Sequence, residues 1–368
     1  MVDNKNKKKV MVGMSGGVDS SVAAHLLTKE YDICGVTLKL FNSENDNNEA
    51  CDSQKSCCSL SDVLDAKEVC RKMNIDHFVF NFKDEFGKLV IDKFIETYKN
   101  GGTPNPCIDC NRYVKFYKMM ERALTLGYDY IATGHYARIE YSQQRQRFLL
   151  KKAVDLSKDQ SYVLYTLTQD ELSHLILPLG ELEKTNVRKI ADENGFVNAH
   201  KPDSQDICFV PDGDYSAFIK EKTGISPKTG NFIDLNGTIL GEHKGLISYT
   251  TGQRKGLGIA YKHPLYVIKK DLTNNNVVVG NESDLFSDTL FIGDMNLISI
   301  NTITQPLKAK AKTRYRQTEQ PCTIYPPSEN GVYKIVFDQK QRAITQGQAA
   351  VLYELENPEI IIGGGTIL

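Results

Sequence analysis

The sequence predicts an α/β protein in which a doubly wound parallel sheet comes first and a small central module and a C-terminal β-barrel follow. In the first half, apolar runs of strand length alternate with segments whose apolar residues recur at helical spacing. This alternation indicates parallel strands joined by helical crossovers. From about residue 211 short strands and turn residues replace it, which is typical of a closed barrel. We place the domains at residues 1–210, 211–285 and 286–368.

The composition is that of an ordinary globular protein, since 40% of the 368 residues are hydrophobic and 25% are charged. Because the net charge is −1, any nucleic acid must be bound by local basic patches. The lysine-rich start lacks the apolar segment of a secretion signal, and no apolar run approaches membrane-spanning length. Nine clustered cysteines favour a reducing compartment over a disulfide framework. We expect a cytoplasmic protein without a membrane partner, and we expect it to be a monomer.

The first strand and helix enclose a glycine-rich loop. Val10–Met14 is predicted to be a buried strand and Ser20–Lys29 an amphipathic helix, with Ser15–Ser20 as the loop between them. Unpaired N–H groups at a helix start bind anions, and two adjacent glycines let the backbone approach a phosphate closely. The loop serines add hydroxyl donors, and Asp19 can orient the loop or a metal ion. It is not a Walker A loop, because no Gly-Lys-Ser/Thr follows. An ordinary turn uses the same residue types.

The remaining elements of the first half continue the alternation. Ligands of such sheets bind at the carboxyl ends of the strands. Gly13–Ser20, Leu38 and Thr133–His135 all lie at such ends, so we expect them to meet in one crevice. The predicted strands are residues 32–41, 78–80 and 130–133, the predicted helices are 59–73, 86–98 and 112–126, and residues 42–56 form a polar connection.

Two segments carry cysteines that suggest chemistry. Thr103–Asn111 contains Cys107 and Cys110 after two prolines, which stiffen the loop. Cys110 falls near a predicted helix start, where the helix field lowers a thiol pKa. No second Cys-x-x-Cys is present to complete a zinc site, and a thioredoxin-type pair would lack both the prolines and the upstream loop. Cys208, beside an apolar stretch, is by itself typical of a buried small residue.

The C-terminal half carries a cationic strand pattern. Alternating cations within Leu307–Arg316 are predicted to share one strand face, because side chains of a strand alternate with period two. Five like charges without an acid favour a polyanionic partner over an ordinary solvated face. In the first half of the chain, the polar cluster Lys158–Tyr162 is by itself more typical of a helix cap than of a functional site. The five cations are Lys308, Lys310, Lys312, Arg314 and Arg316.

Taken together, these motifs resemble a known family. Ser15–Ser20 is similar to the pyrophosphate loop (PP-loop) of the Rossmann-like N-type ATP pyrophosphatases, which split ATP between its α- and β-phosphates and adenylate a carbonyl oxygen. Over nearly the whole chain the order of motifs resembles the tRNA-specific 2-thiouridylases, which place sulfur on C2 of the wobble uridine. The motifs are residues 13–20, 103–116, 132–136, 158–165, 206–209, 252–258 and 313–317.

The resemblance implies an enzyme that uses ATP with Mg²⁺, a tRNA with a wobble uridine, and a persulfide-donating sulfur carrier protein. By the same resemblance Cys110 is the catalytic nucleophile and Cys208 carries the persulfide. The implied ATP contacts are Gly13, Met14, Ser15, Gly16, Gly17, Val18, Asp19, Ser20, Leu38 and Gly134. The implied tRNA contacts are Asn105, Pro106, Cys107, His135, Lys158, Asp159, Gln160, Arg314, Tyr315 and Gln348.

The chain departs from the family pattern at Cys107, where the familiar motif has an aspartate three residues before the nucleophile. A thiol is normally protonated near neutrality, so the carboxylate role does not carry over. Cys107, Cys110 and Cys208 can instead be three ligands of an iron–sulfur cluster. Two other functions stay open: a PP-loop synthetase that forms an amide or guanidine, and a binding protein with an inactive loop. We assign no role to Cys51, Cys57, Cys58 or Cys70.

Overall fold

The computed structural model describes residues 7–41, 60–203, 207–210 and 213–368. Cys51, Cys57, Cys58 and the predicted connection at 42–56 lie outside the described residues. The described residues divide into two compact units. The first unit lies within residues 1–91, 106–211 and 359–361, and the second within 92–105, 212–358 and 362–368. The boundaries at residues 210 and 285 stay predictions.

The first unit is built on a parallel sheet, as predicted. Its five strands lie side by side in the order β3-β2-β1-β4-β7. Val10, Met11 and Val12 of the central strand are fully buried, because helices cover both faces of such a sheet. The strands are β1 (Lys9–Gly13), β2 (Asp32–Lys39), β3 (His77–Asn81), β4 (Tyr130–Ala132) and β7 (Leu175–Ile176). A hairpin of β5 (Ala137–Ser142) and β6 (Arg147–Lys152) precedes the last of them.

Helices connect these strands, and their apolar faces form the core with residues such as Val22, Ala23, Val69 and Val187. The helices of the first unit are α1 (Val18–Leu27), α2 (Leu60–Lys72), α3 (Lys83–Phe86), α5 (Pro106–Asp109), α6 (Met119–Thr125), α7 (Gln169–Ser173) and α8 (Lys184–Glu193). No helix among the residues described here is long and apolar enough to cross a membrane.

The structure corrects two predicted helices. The predicted helix at 86–98 is interrupted by π-helical turns over Gly87–Ile91. The helix expected at 112–126 already begins at Pro106, because proline is favoured at the first helical position, where its missing N–H costs nothing. Cys110 therefore lies in the second turn of this helical run, at the start of a π-helical stretch, Cys110–Lys118. The polar cluster that was interpreted as a helix cap is followed by a 3₁₀ turn, Ser161–Leu164.

The described part of the second unit contains two α-helices, α4 (Asp92–Lys99) and α9 (Tyr215–Thr223), and two β structures. A four-stranded sheet has the order β10-β11-β8-β9, and the strands β12-β15-β14-β13-β16-β17 close into the predicted barrel. The sheet consists of β8 (Gly230–Ile233), β9 (Ile239–His243), β10 (Tyr266–Asp271) and β11 (Asn276–Gly280). The barrel consists of β12 (Phe286–Leu297), β13 (Leu307–Lys312), β14 (Gln320–Ile324), β15 (Tyr333–Arg342), β16 (Ala349–Glu354) and β17 (Ile361–Ile367).

The predicted cationic strand is shorter than the sequence pattern. β13 ends at Lys312, so Arg314 and Arg316 lie in the turn that follows and do not share its face. Within β13 the alternation holds, since Ala309 and Ala311 point into the barrel core and the lysines point outward. The prediction of five cations on one strand face was therefore wrong for the last two.

Candidate active site

The loop between β1 and α1 is closed by its own hydroxyl groups. Ser20 Oγ accepts a hydrogen bond from the Ser15 N–H at 3.2 Å and donates to the Gly17 carbonyl at 3.0 Å. Ser21 Oγ donates to the same carbonyl at 3.1 Å. These bonds hold the Gly16–Gly17 backbone at the start of α1, where the N–H groups have no partner within the helix. The arrangement is that of an anion-binding loop.

Two glycines allow close backbone contacts around this loop. Gly16 has φ +73°, and a Cβ there would come within 2.7 Å of Asp62 Cα. A Cβ on Gly134 would come within 2.8 Å of Asp19 C and Ser20 N. The segment after β4 therefore lies directly against the first turn of α1. The strand ends β1, β2 and β4 are adjacent and parallel, so this edge also carries Leu38, as the sequence predicted.

A pair of glycine variants tests this packing. We expect Gly16→Ala to lower the free energy of unfolding by roughly 2–6 kcal/mol, because it adds strain at positive φ and a clash with Asp62. Gly17→Ala is the matched control, since its φ is −91° and the nearest atom to a Cβ is Ser15 Oγ at 3.5 Å. Its free energy of unfolding should change by less than about 1 kcal/mol. Urea unfolding measures both, and equal stabilities would contradict the described contact.

A buried lysine neutralises the loop carboxylate. Lys184 Nζ lies 2.7 Å from both Asp19 oxygens, and the Lys184 residue is 7% exposed. Tyr136 donates its O–H to Asp19 Oδ1 at 2.8 Å. Burial, and then the Asp19 charge, raise the pKa of Tyr136, so the phenol stays a donor. Asp19 therefore orients the loop through Lys184 and Tyr136.

The same lysine reaches a second carboxylate. Lys184 Nζ is 2.9 Å from Asp203 Oδ1, which also accepts from Arg188 at 3.0 Å. Lys158 Nζ lies 2.9 Å from the other Asp203 oxygen. Burial alone would raise the pKa of Asp203, but the hydrogen bonds from Lys184 and Lys158 outweigh it and hold the pKa below its usual value. Two carboxylates and three cations thus form one network beside the loop.

The three predicted functional cysteines differ in exposure. Cys107 is exposed, Cys110 is buried and Cys208 is intermediate. Next to Cys208, the Phe209 ring packs edge-to-face on Phe86, with centroids 5.6 Å apart. The pairing of Cys110 with Cys208 stays a prediction. Within the described ranges, which include all three cysteines, no three His, Cys, Asp or Glu side chains form a metal-binding group.

His135 and the Lys158–Gln160 cluster lie near the sheet edge that carries the anion-binding loop. The Thr133 hydroxyl contacts His135 Nδ1 at 2.7 Å, and burial, followed by Lys115, lowers the pKa of His135 well below its usual value. The ring is therefore neutral near pH 7. Gln160 Oε1 accepts from the Tyr136 N–H at 2.9 Å, and Asp159 accepts from the Ser161 hydroxyl at 2.8 Å. The helix-cap interpretation of this cluster is not borne out, because Gln160, the residue that precedes the 3₁₀ turn Ser161–Leu164, makes no side-chain capping bond, although Asp159 also accepts from the Ser161 N–H at 3.2 Å.

In the second unit, the side chains of Arg314 and Gln348 donate hydrogen bonds to backbone carbonyls and so hold loops in place. Arg314 Nη2 donates to the Thr251 and Ala343 carbonyls at 3.2 and 3.0 Å. Gln348 Nε2 donates to the Thr103 carbonyl at 2.7 Å. Tyr315, by contrast, is 41% exposed. The structure thus gives Arg314 and Gln348 structural contacts and leaves Tyr315 at the surface.

The whole chain is similar to known proteins. Three family models match in order: the tRNA methyl transferase HUP domain at residues 8–212, the tRNA methyl transferase PRC-barrel domain at 216–281 and the aminomethyltransferase beta-barrel domain at 287–367. The tRNA-specific 2-thiouridylase MnmA of Acetivibrio thermocellus is 50% identical over 98% of this chain and 99% of the relative. That of Clostridioides difficile is 49% identical over 98% of each. This chain belongs to the tRNA-specific 2-thiouridylase family.

Sequence reasoning for this 2-thiouridylase family member missed the Lys184–Asp203 network. Lys184 follows Glu183 at a helix start, where a lysine usually lies on a solvated face. Its partner Asp19 is 165 residues away in the chain, so no local pattern identifies it. Tyr136 ends the motif at residues 132–136 and Asp203 lies outside all of the motifs, and no sequence pattern joined either residue to the PP-loop.

Proposed function

We propose that this chain is a tRNA 2-thiouridylase, an enzyme that uses ATP to replace O2 of the wobble uridine with sulfur and releases AMP and pyrophosphate. The observation that carries the proposal is the closed anion-binding loop Ser15–Ser20 in a chain about 50% identical to 2-thiouridylases over nearly its full length. The paired cysteines Cys110 and Cys208 supply the sulfur chemistry that amide-forming PP-loop enzymes do not need.

The first step is adenylation. A uracil C2 carbonyl is a poor electrophile, and its oxygen is a poor leaving group. When O2 attacks the α-phosphorus of ATP, the bond to pyrophosphate breaks and O2 becomes part of AMP, which leaves readily. The N–H groups of Gly16 and Gly17 at the start of α1 hold the departing pyrophosphate. Met14, Leu38 and Gly134 lie at the same strand edge and complete the nucleotide site.

The second step transfers sulfur. The terminal sulfur of a persulfide on Cys208 attacks C2 and expels AMP. The Cys110 thiolate then attacks Cys208 Sγ, which breaks the bond to the transferred sulfur and forms a Cys110–Cys208 disulfide. Cellular thiols must reduce this disulfide before the next turnover. Alternatively, Cys110 attacks the persulfide first and releases sulfide, which attacks C2 with the same electron balance.

This chemistry requires two partner molecules, a sulfur carrier protein and a tRNA. A persulfide-donating sulfur carrier protein must reload Cys208 after each turnover. The target base must leave its stack to reach a buried thiol, which suits the single-stranded anticodon loop of a tRNA. Neutral His135 and the neighbouring Lys158–Gln160 cluster are proposed to contact that loop.

Mg²⁺ fits this site in its donor chemistry. Mg²⁺ prefers carboxylate and phosphate oxygens. Both Asp19 oxygens already contact Lys184 Nζ, so the phosphates of ATP would be the main ligands of the ion, with the Asp19 carboxylate beside them. When bound, the ion would neutralise phosphate charge. The iron–sulfur alternative fits less well, because Cys107, Cys110 and Cys208 do not form a metal-binding group. We therefore derive no step through a cluster.

The direct test is mass spectrometry of tRNA nucleosides after incubation of the protein with tRNA, ATP and a persulfide donor. We expect 2-thiouridine to form only when ATP is present. A tRNA with cytidine at the wobble position is the matched control and should stay unmodified. ATP cleavage that depends on an amine and not on tRNA would support the synthetase alternative, and tRNA binding without ATP cleavage would support the binding protein.

The outward face of β13 provides a further test. Lys308 lies 3.5 Å from Asp338, and Lys312 lies 3.8 Å from Glu319, whereas Lys310 makes no ion pair with a described residue. We expect Lys310→Ala to lower the salt dependence of tRNA binding by about 0.7–0.9 unit of log K per log salt, the value of one phosphate contact. Filter binding at several salt concentrations measures this slope.

Lys312→Ala is the control for that measurement, because Glu319 already neutralises the Lys312 ammonium. Its slope should stay within experimental error of the unsubstituted protein. If Lys310→Ala leaves the slope unchanged, β13 is an ordinary solvated strand and not a tRNA-binding face.

A further inference from the structure

We propose that Asn198 is a positioning residue of the PP-loop. Its buried side-chain amide sets the orientation of the Gly16–Gly17 peptide and so aims the Gly17 N–H at the departing pyrophosphate. The inference rests on the proposed function and deepens it. It assigns a task in the nucleotide step to a side chain that is 182 positions from Gly16 and outside every predicted contact.

The side-chain nitrogen of Asn198 contacts the loop and the helix that follows it. Nδ2 donates to the Gly16 carbonyl at 2.9 Å and to Ser21 Oγ at 2.9 Å. Because a carbonyl oxygen only accepts, the Gly16 contact also identifies which end of the amide is the nitrogen. Asn198 is 2% exposed and Gly16 is buried. The Gly16 carbonyl is therefore held in the protein interior.

The planarity of the peptide bond carries this contact to the other side of the loop. The bond between Gly16 and Gly17 is trans, so its C=O and N–H point in opposite directions. Since the carbonyl points toward Asn198, the Gly17 N–H points away from it. Among the described residues, none accepts a hydrogen bond from this N–H. It is therefore available to an anion.

The next peptide is fixed in the same sense by the loop serines. The Gly17 carbonyl accepts from Ser20 Oγ at 3.0 Å, from Ser21 Oγ at 3.1 Å and from the Ser21 N–H at 3.3 Å. The Val18 N–H, on the opposite side of that peptide, points out of the start of α1. Successive N–H groups that face one side form an anion-binding concavity. The serines hold its second peptide, and Asn198 holds the first.

Two adjacent glycines make this control necessary. A peptide flip rotates ψ of Gly16 and φ of Gly17 by about half a turn, and glycine populates the conformations on both sides. The flipped peptide would direct the Gly16 carbonyl oxygen at the phosphates, where negative charges repel one another. Only the unflipped peptide can accept the hydrogen bond from Asn198. The amide thus selects the orientation that binds an anion.

The burial of Asn198 supports a role in function. In the described part of the chain its Oδ1 has no hydrogen-bond partner, and a buried acceptor without a partner lowers stability. The surrounding turn is well held, since Arg188 Nη1 donates to the Ala199 carbonyl at 3.0 Å and the Lys201 N–H donates to the Asn198 carbonyl at 3.0 Å. An apolar residue here would avoid the unpaired oxygen but would leave the Gly16 carbonyl without this donor.

The test is calorimetric binding of inorganic pyrophosphate with Mg²⁺ to the full chain, without tRNA or a persulfide. Asn198→Leu keeps the approximate volume of the side chain and removes the donor. We expect its affinity for pyrophosphate to fall about tenfold or more, the effect of losing one hydrogen bond to a charged group. Pyrophosphate release at saturating ATP, measured with tRNA, should slow at least as much, because negative charge on the leaving group grows as the bond breaks.

Asn194→Leu is the matched control. Asn194 Nδ2 donates to the Ile190 carbonyl of α8 at 2.8 Å, and none of its described hydrogen bonds reaches the loop. Its affinity for pyrophosphate should equal that of the unsubstituted protein within error. Melting temperatures show that each variant is folded at the temperature of the measurement.

Asn198→Asp tests the orientation directly and carries the test if Asn198→Leu does not fold. A carboxylate has the shape of the amide but accepts and does not donate. We expect its crystal structure to show the Gly16–Gly17 peptide flipped, with the Gly17 N–H directed at position 198, and its affinity for pyrophosphate to be lower. The native orientation of this peptide in the variant would overturn the proposal.

A role confined to stability would lower the melting temperature of Asn198→Leu and leave its pyrophosphate affinity unchanged, and this result would also overturn the proposal. Failure of the inference is distinguishable from failure of the function. A protein that forms 2-thiouridine, and whose Asn198→Leu variant binds pyrophosphate normally, keeps the proposed function and loses only this inference. A protein whose pyrophosphate affinity depends on Asn198 but that forms no 2-thiouridine contradicts the function alone.

Discussion

Replacement of Cys110 or Cys208 by serine is expected to eliminate 2-thiouridine formation while adenylation of tRNA continues. In the proposed mechanism the PP-loop performs the ATP chemistry, and only the sulfur step needs two thiols near C2. A hydroxyl group cannot carry a persulfide or exchange with one. Pyrophosphate release and nucleoside mass spectrometry, measured on the same reaction, separate the two steps.

Cys322→Ala is the control for these variants. Cys322 is buried in the barrel, and burial raises the pKa of its thiol to about 12, so it stays protonated and unreactive. This variant should thiolate tRNA normally. Partial thiolation by either serine variant would count against the paired-thiol mechanism.

Cys107→Asp separates the two sulfur mechanisms. Cys107 is exposed, so an aspartate there is solvated and restores the carboxylate of the familiar family motif. On the persulfide route the variant should stay active, with a changed pH profile. Loss of activity together with loss of bound iron in anaerobically purified protein would instead favour an iron–sulfur cluster.

Ser20→Ala is expected to lower pyrophosphate release by about 100-fold or more, the effect of removing one preorganised group from a charge-stabilising site. The Ser20 hydroxyl both accepts from the Ser15 N–H and donates to the Gly17 carbonyl, so its loss opens the anion-binding loop. Binding of tRNA should be unchanged, because the basic residues of the barrel do not depend on the loop. Pyrophosphate release and filter binding give the two readouts.

Ser21→Ala is the matched control in the same helix turn. Ser21 Oγ also donates to the Gly17 carbonyl, but it accepts from Asn198 Nδ2 at 2.9 Å and makes no hydrogen bond to Ser15. Its loss should cost about 1 kcal/mol of stability and leave pyrophosphate release within a few-fold of normal. Normal adenylation by Ser20→Ala would show that the nucleotide assignment of the loop is wrong.

Much of the architecture could be predicted from the sequence. The strands at β1, β2, β3 and β4, the loop between β1 and α1, and the C-terminal barrel follow from patterns between neighbouring residues. Other features could not be predicted locally. The strand β6 and the short strand β7 lack a strong period, and Pro106 is equally compatible with a stiff loop and a helix start. β5, Ala137–Ser142, does alternate apolar and polar residues, and the sequence analysis did not use this signal.

The residues of the candidate site likewise include some that could be predicted from the sequence and some that only the structure identified. The sequence by itself placed the loop glycines, Leu38 and Gly134 at one strand edge, because a parallel sheet brings the carboxyl ends of its strands together. The family resemblance also assigned the sulfur chemistry to Cys110 and Cys208, and both this assignment and their pairing stay predictions. These conclusions depend on residue type and on order in the chain, both of which a sequence states directly.

Only the tertiary structure decided the charge network and the end of the cationic strand. Lys184 lies between Asp19 and Asp203 because the fold brings α8 against the loop, and a buried ammonium requires carboxylate partners. Arg314 does not lie on the cationic face of β13, because β13 ends at Lys312 and the Arg314 guanidinium donates hydrogen bonds to backbone carbonyls. A sequence records the charges, but the energy of each depends on its distance to partners and on its exposure, which the folded chain alone sets.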